Sequence, residues 1–159
     1  MSLAPFVPSP DQVVRAMIQL TELKPGETLY DLGCGDGRIV LMAAQEFGAN
    51  AVGVEMDDGR YHTCLDKVRE LKLENKVKII HDDLLNVDLS KADVVTLYLL
   101  TSANEKIKPN FERYLKNGAR VVSHDFEMPG WKPAKVQDIK ETESYSYSHT
   151  LYLYKFQKK

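Results

Sequence analysis

The sequence predicts one α/β domain: a seven-stranded, mostly parallel sheet with helices on both faces, ending in an antiparallel β-hairpin. Three observations predict it. Up to Phe126, short apolar runs alternate strictly with longer runs of helical spacing. The first apolar run enters a glycine-rich turn that opens a helix. After Trp131-Lys132-Pro133 the alternation stops, and two strand-like runs follow with no room for a helix between them. With 159 residues, 43% of them hydrophobic and 28% charged, the chain has enough apolar material for one core and little for a second. Residues 1–159 therefore read as a single domain, with 1–10 as an N-terminal arm or lid.

Pro5 to Pro10 is Pro-dense and extended, and Ser9 is placed to cap a helix with Pro10 at its first position. Val13, Val14, Met17 and Ile18 give that helix its apolar stripe, and Lys24-Pro25-Gly26 ends it. Thr28 to Leu32 reads as a buried strand, Gly33 to Gly37 as the turn, and Arg38 to Phe47 as a helix closed by Gly48. Ala51 to Val54 is the second strand, ending at Glu55, and Asp58 to Leu73 the helix after it. Val77 to Ile80 is the third strand, and Val94 to Leu99 a fourth whose lack of alternation indicates burial on both faces. Ser102 and Glu105 have the spacing of a capping box, with Pro109 restarting the helix they open. Ala119 to Ser123 is the fifth strand, and Lys135 to Glu141 with Ser148 to Phe156 form the hairpin. A dinucleotide-binding domain would usually add a sixth parallel strand instead.

Composition excludes several classes of function. The 21 Lys and Arg against 23 Asp and Glu leave a net charge of −2, so no global positive field draws the chain to nucleic acid or anionic lipid. The most apolar stretch, Val94 to Leu100, falls far short of the roughly 20 residues of a membrane-spanning helix. Two cysteines cannot build a disulfide framework. The four histidines lie far apart in sequence, so no metal site is expected. No basic-then-apolar leader opens the chain, and the expected location is the cytoplasm.

In open α/β sheets ligands bind at the carboxyl ends of the strands. Those ends here carry carboxylates: Asp31 and Asp36 around the glycines, Glu55 and Asp57, Asp82 and Asp83, and finally Asp125 and Glu127. Glu55, 22 positions after Gly33, is placed to take both hydroxyls of a ribose. Asp31 suits a cationic ammonium and Asp82 an exocyclic adenine amine, so an aminoacyl adenosine fits this mouth better than a pyrophosphate.

Leu29-Tyr30-Asp31-Leu32-Gly33-Cys34-Gly35-Asp36-Gly37 resembles the first motif of class I S-adenosylmethionine-dependent methyltransferases, a Rossmann-like fold. Four further stretches resemble the small archaeal-type protein-lysine methyltransferases and their mitochondrial relatives. They are Pro5 to Pro10, Leu99 to Thr101 with Asn104 to Pro109, Arg120 to Phe126, and Gly130-Trp131 with His149 to Tyr154. The resemblance spans nearly the whole chain and implies transfer of methyl groups from S-adenosyl-L-methionine to protein lysines. It sets the cofactor against Asp31, Gly33, Cys34, Gly35, Asp36 and Gly37, then Glu55 and Met56, then Asp82, Asp83 and Leu84. The mitochondrial relatives carry an N-terminal membrane segment that this chain lacks, so no membrane partner is expected.

An amine acceptor must lose a proton, its ammonium having an ordinary pKa of about 10.4. Candidates for the acceptor channel are Tyr98, Thr101, Asn104 and Glu105 after strand four, and His124 and Asp125 after strand five. Each has a plainer reading. Glu105 could serve the capping box, Tyr98 the strand core and His124 a structural hydrogen bond, while Asp125 could simply face water. Cys34 has no basic neighbour in sequence and reads as a small residue in a tight turn rather than a nucleophile. The acidic mouth favours a basic or lysine-containing protein over nucleic acid, and Lys155 to Lys159 is a candidate self-methylation segment. Tyr98-Leu99-Leu100-Thr101 also departs from the N-P-P-[YF] type of tetrapeptide found in methyltransferases of adenine and glutamine amides. The alternatives are a methyltransferase of small molecules or RNA and a non-catalytic nucleotide-binding module.

Overall fold

The computed structural model describes residues 9–140 and 148–158. The arm at 1–8, the hairpin turn at 141–147 and Lys159 lie outside the described residues. Five parallel strands form in chain order: β1 (Thr28–Leu32), β2 (Asn50–Glu55), β3 (Val77–His81), β4 (Val94–Leu97) and β5 (Arg120–His124). The hairpin is β6 (Lys135–Lys140) and β7 (Ser148–Lys155), and the sheet order is β3-β2-β1-β4-β5-β7-β6. The last strand of the chain thus inserts beside β5 and leaves β6 at the edge. Both β7 contacts are antiparallel, His124 facing Leu151 on one side and Ile139 facing His149 on the other. Composition explains which strand lies inside. Leu151, Leu153 and Tyr154 of β7 are buried, whereas β6 is polar and exposed along most of its length, as suits an edge.

Helices α1 (Asp11–Leu20), α2 (Arg38–Phe47), α3 (Asp58–Glu70) and α4 (Thr101–Tyr114) cover the sheet. Val14 and Ile18 of α1 and Val40 of α2 pack with Leu29 and Val94 on one face. Val13 and Met17 reach Val122, Leu151 and Leu153 on the same helix's other flank. Across the sheet, Ile107 and Phe111 of α4 pack with Tyr30, Leu97 and Tyr154. Among the described residues no helix is long and apolar enough to cross a membrane.

Three local expectations are corrected. Pro10, with extended φ and ψ, is the residue before α1, and no side chain caps that helix. The Ser9 hydroxyl lies instead 2.8 Å from Nδ1 of His124. Helix α4 begins at Thr101, so Ser102 falls inside its first turn, and the N–H groups of Ala103 and Asn104 bond the Leu100 carbonyl. The capping box therefore does not form, and the Glu105 carboxylate lies 3.5 Å from Lys108 Nζ. Pro109 does not restart the helix. It sits within α4, because buried Ala103, Ile107 and Phe111 hold the turns before and after it on one packed face.

Candidate active site

The glycine turn is folded onto the end of β2. Gly33 and Cys34 N–H groups both bond the Val54 carbonyl at 2.9 Å, and the Gly35 N–H donates to Glu55 Oε1 at 2.8 Å. Gly33 and Gly35 hold φ of 83° and 57°, a left-handed geometry that a side chain would strain. A further glycine, Gly53 in β2, makes room for this turn. A Cβ there would stand 2.7 Å from Cys34 Sγ. Cys34 is buried 3.9 Å from Cys64, and that contact, with burial, pushes its pKa up and keeps the thiol protonated. Its structural reading therefore stands on packing.

Asp31, the penultimate residue of β1, is almost fully buried, as are its neighbours Tyr30 and Leu32. Loss of hydration raises its pKa to about 7, against the Thr96 hydroxyl, which donates to Oδ1 at 2.8 Å; Glu55 and Asp36 add repulsion. One strand over, the buried Glu55 carboxylate accepts Gly35 N–H on Oε1 and Asp57 N–H on Oε2, Arg60 Nε stands 3.5 Å from Oε2, and Oε1 keeps a lone pair for a hydroxyl. The Met56 carbonyl lies 3.2 Å from His81 Nε2, and the Tyr61 ring stacks on His81 at 4.5 Å. Asp82 Oδ1 accepts from the Asp83 N–H and from Asn86 Nδ2. Asp83 caps the short 3-10 turn Leu84–Asn86 through the Leu85 N–H, and Leu84 is buried beneath it. Asp31, Glu55 and Asp82 thus stand at neighbouring strand ends.

Asp36 and Gly37 do different work from the other loop residues. The Asp36 carboxylate is paired with Arg38, Oδ2 to Nη2 at 2.6 Å, which holds its pKa below the ordinary value. Arg38 Nη1 in turn donates to the Ser9 carbonyl at 2.9 Å. Gly37, with φ of 87°, leads into α2, and a Cβ there would stand 3.2 Å from Cys64 Sγ.

The expected acceptor residues divide into three groups. Tyr98 stacks on His124 with ring centroids 3.8 Å apart, and Asp125 follows His124 directly. Asn104 is fully buried; its Nδ2 donates to the carbonyls of Phe126 and Glu127, so it pins the segment leaving β5. Thr101 and Glu105 are exposed on α4, with Glu105 turned toward Lys108 rather than toward that stack. His124 is enclosed and its pKa is lowered to about 4, by desolvation first and by the His149 charge, against the attraction of Asp125.

Sequence reading missed four residues here. Thr96 orients Asp31, and Gly53 admits the glycine turn. Ser9 touches both His124 and Arg38. His149 lies 2.8 Å from His124, Nδ1 to Nε2, although 25 residues separate them. The alternation of β5 with β7 could have brought His124 and His149 to one sheet end, but only if β7 was known to insert beside β5.

Comparisons with known proteins bear on this geometry. The model of the ANTKMT methyltransferase domain matches residues 31–135. A protein-lysine N-methyltransferase of Saccharolobus islandicus is 43% identical over 94% of this chain and 92% of its own. The adenine nucleotide translocase lysine N-methyltransferase of Mus musculus is 31% identical over 83% of this chain, which spans 57% of that relative's length. Among solved structures, an RNA methyltransferase from Salinibacter ruber in complex with S-adenosyl-L-homocysteine superposes with a TM-score of 0.84 at 38% identity, covering 94% of this chain and 93% of that one. With the glycine motif, the sheet order and near full-length similarity in agreement, this chain belongs to the ANTKMT methyltransferase family.

Proposed function

We propose that the chain is an S-adenosylmethionine-dependent methyltransferase acting on protein lysine side chains. The observation that carries the cofactor assignment is Asp31, a buried acid with its pKa raised to about 7 beside a glycine turn. A cation beside it would restore its ionisation, as the ammonium of an aminoacyl adenosine does. The donor set around it fits the same molecule: Glu55 retains acceptor capacity for a ribose hydroxyl, and Asp82 stands at the next strand end to accept an adenine amine. Gly33, Gly35 and Met56 line the approach, whereas Asp36, Gly37, Cys34, Asp83 and Leu84 support the loop and turn from behind. When bound, S-adenosylmethionine supplies an electrophilic methyl group on a sulfonium sulfur.

For the acceptor, the support is the similarity to the Saccharolobus protein-lysine methyltransferase over nearly the full chain. Transfer to an amine asks the protein mainly to align and desolvate the nucleophile. Tyr98 over His124 forms a rigid aromatic wall for that purpose. His124, neutral through most of the pH range, adds no charge that would repel a lysine ammonium, and Asp125 beside it is the group assigned to face the incoming lysine. Asn104 holds the segment after Asp125 in place, and Thr101 and Glu105 are assigned to the outer rim of the channel.

Intact-mass and peptide-mapping mass spectrometry tests this reading, with S-adenosylmethionine added to the protein alone and with a lysine-rich acceptor. Methyl additions mapped to acceptor lysines are expected, and additions on Lys155 or Lys158 in the first arm would establish self-methylation. The Salinibacter neighbour, named an RNA methyltransferase, favours one second reading, an RNA acceptor. Methylated RNA with unmodified protein would replace the first reading by that one. Two buried thiols suit the reducing cytoplasm, the proposed location.

A further inference from the structure

We infer that the turn at the end of β5 is a binding site for a divalent transition metal, formed by His124, Asp125 and His149. Among the described residues this is the cluster whose donor atoms all lie within 4.8 Å of one another. Nε2 of His124 and Nδ1 of His149 are 2.8 Å apart, and Asp125 Oδ2 is 3.5 Å from the first and 3.9 Å from the second. Donors held by one metal at about 2.1 Å stand roughly 3.0–3.4 Å apart, so closing this site needs shifts of about half an ångström or less.

The donors are oriented from behind, as those of built metal sites are. The far nitrogen of the His124 ring, Nδ1, lies 2.8 Å from the Ser9 hydroxyl, and the ring is fully enclosed under Tyr98. Asp125 spends Oδ1 on the Thr150 N–H at 2.9 Å, which leaves Oδ2 toward the two imidazoles. Its backbone takes φ of 65°, the left-handed turn that brings the carboxylate back over the strand it has just left. His149 comes from the start of β7, in register with Ile139 of β6. Two imidazoles and one carboxylate form a borderline donor set that suits Zn²⁺, Co²⁺ or Ni²⁺ better than Ca²⁺ or Mg²⁺, which prefer oxygen throughout. Without metal, one N–H between the two imidazoles satisfies both nitrogens; metal binding at Nε2 moves the His124 proton to Nδ1, where the Ser9 hydroxyl accepts it, and each ring stays neutral.

The site lies at the end of β5, apart from the carboxylates of β1, β2 and β3; it shares His124 and Asp125 with the acceptor channel proposed above, but rests on the donor geometry and not on the identity of the methyl acceptor. Tag-free protein, stripped with a chelator and dialysed, is titrated with Co²⁺ while its visible d–d absorption is followed, and Zn²⁺ is then added as competitor. Saturable one-to-one binding with displacement by Zn²⁺ is expected. His149→Ala and Asp125→Asn should each weaken Co²⁺ binding at least about tenfold. Asn tolerates the left-handed backbone, so the second variant keeps the turn if the first disturbs β7. A thermal shift with adenosylhomocysteine certifies that each variant is folded. No saturable Co²⁺ signal, or equal affinity in both variants and the parent, would overturn the metal site. Failure of adenosylhomocysteine to stabilise the parent protein would count against the cofactor assignment alone.

Discussion

Asp31 carries two demands that conflict in the empty protein and agree in the liganded one. Buried among apolar strand residues with one hydroxyl donor, it favours the protonated form up to about pH 7. A bound ammonium reverses that preference. Adenosylhomocysteine affinity should therefore rise as pH increases from 5.5 to 8, by roughly 30-fold, because ligand binding releases a proton below the raised pKa. Asp31→Asn should flatten that profile and bind roughly 10- to 100-fold more weakly at pH 8, as read by calorimetry at both pH values. A steep profile that survives in Asp31→Asn would place the titrating group elsewhere.

β2 and α4 each contain a residue chosen against ordinary propensity. In β2, Gly53 forgoes a side chain because Cys34 Sγ and Cβ occupy the space a Cβ would need, at 2.7 and 2.9 Å. Gly53→Ala is expected to cost about 1–3 kcal/mol in urea denaturation. It should also weaken adenosylhomocysteine binding, since the clash is relieved by moving the glycine turn. Helix α4 tolerates Pro109 inside it, at the loss of the N–H bond that would reach the Glu105 carbonyl. Pro109→Ala should restore that bond and stabilise the protein by about 1–2 kcal/mol, less than the full helix penalty of proline because the unfolded chain gains freedom. A drop in stability would mean that the ring's packing outweighs the missing hydrogen bond.

Across the molecule, ionisation links folding to pH through the same buried acid. Asp31 has an ordinary value of 3.8 and a folded value of about 7, so the folded state holds its proton more tightly than the unfolded chain. Its contribution to stability is complete below pH 3.8, declines as pH rises and is lost above 7. Glu27, Asp36 and Asp93 have lowered values and act in the opposite direction in acid. The comparison that isolates Asp31 is therefore between parent and Asp31→Asn. The variant should gain about 2–3 kcal/mol on the parent between pH 5 and pH 8 in denaturant unfolding without ligand. An unchanged difference would mean that water or a counter-ion already relieves the buried charge.

The periodicity of the chain was sufficient for the strands, the helices that cover them, the terminal hairpin and the carboxylates at the mouth. These follow from local chemistry: apolar runs bury, glycines turn, and residues at strand ends face the crevice. The capping of α1 and α4 was not legible in the same way, because Ser9 and Glu105 have the right spacing for caps but partners elsewhere, in His124 and Lys108. Nor did spacing reveal that Asp36 is spent on Arg38, that Gly53 makes room for Cys34, or that His149 meets His124. Those contacts exist only once β7 has inserted beside β5 and the glycine turn has closed over β2. Sequence patterns encode which surface a residue needs to bury, whereas the partner that covers it is fixed by strand order and loop closure across long separations.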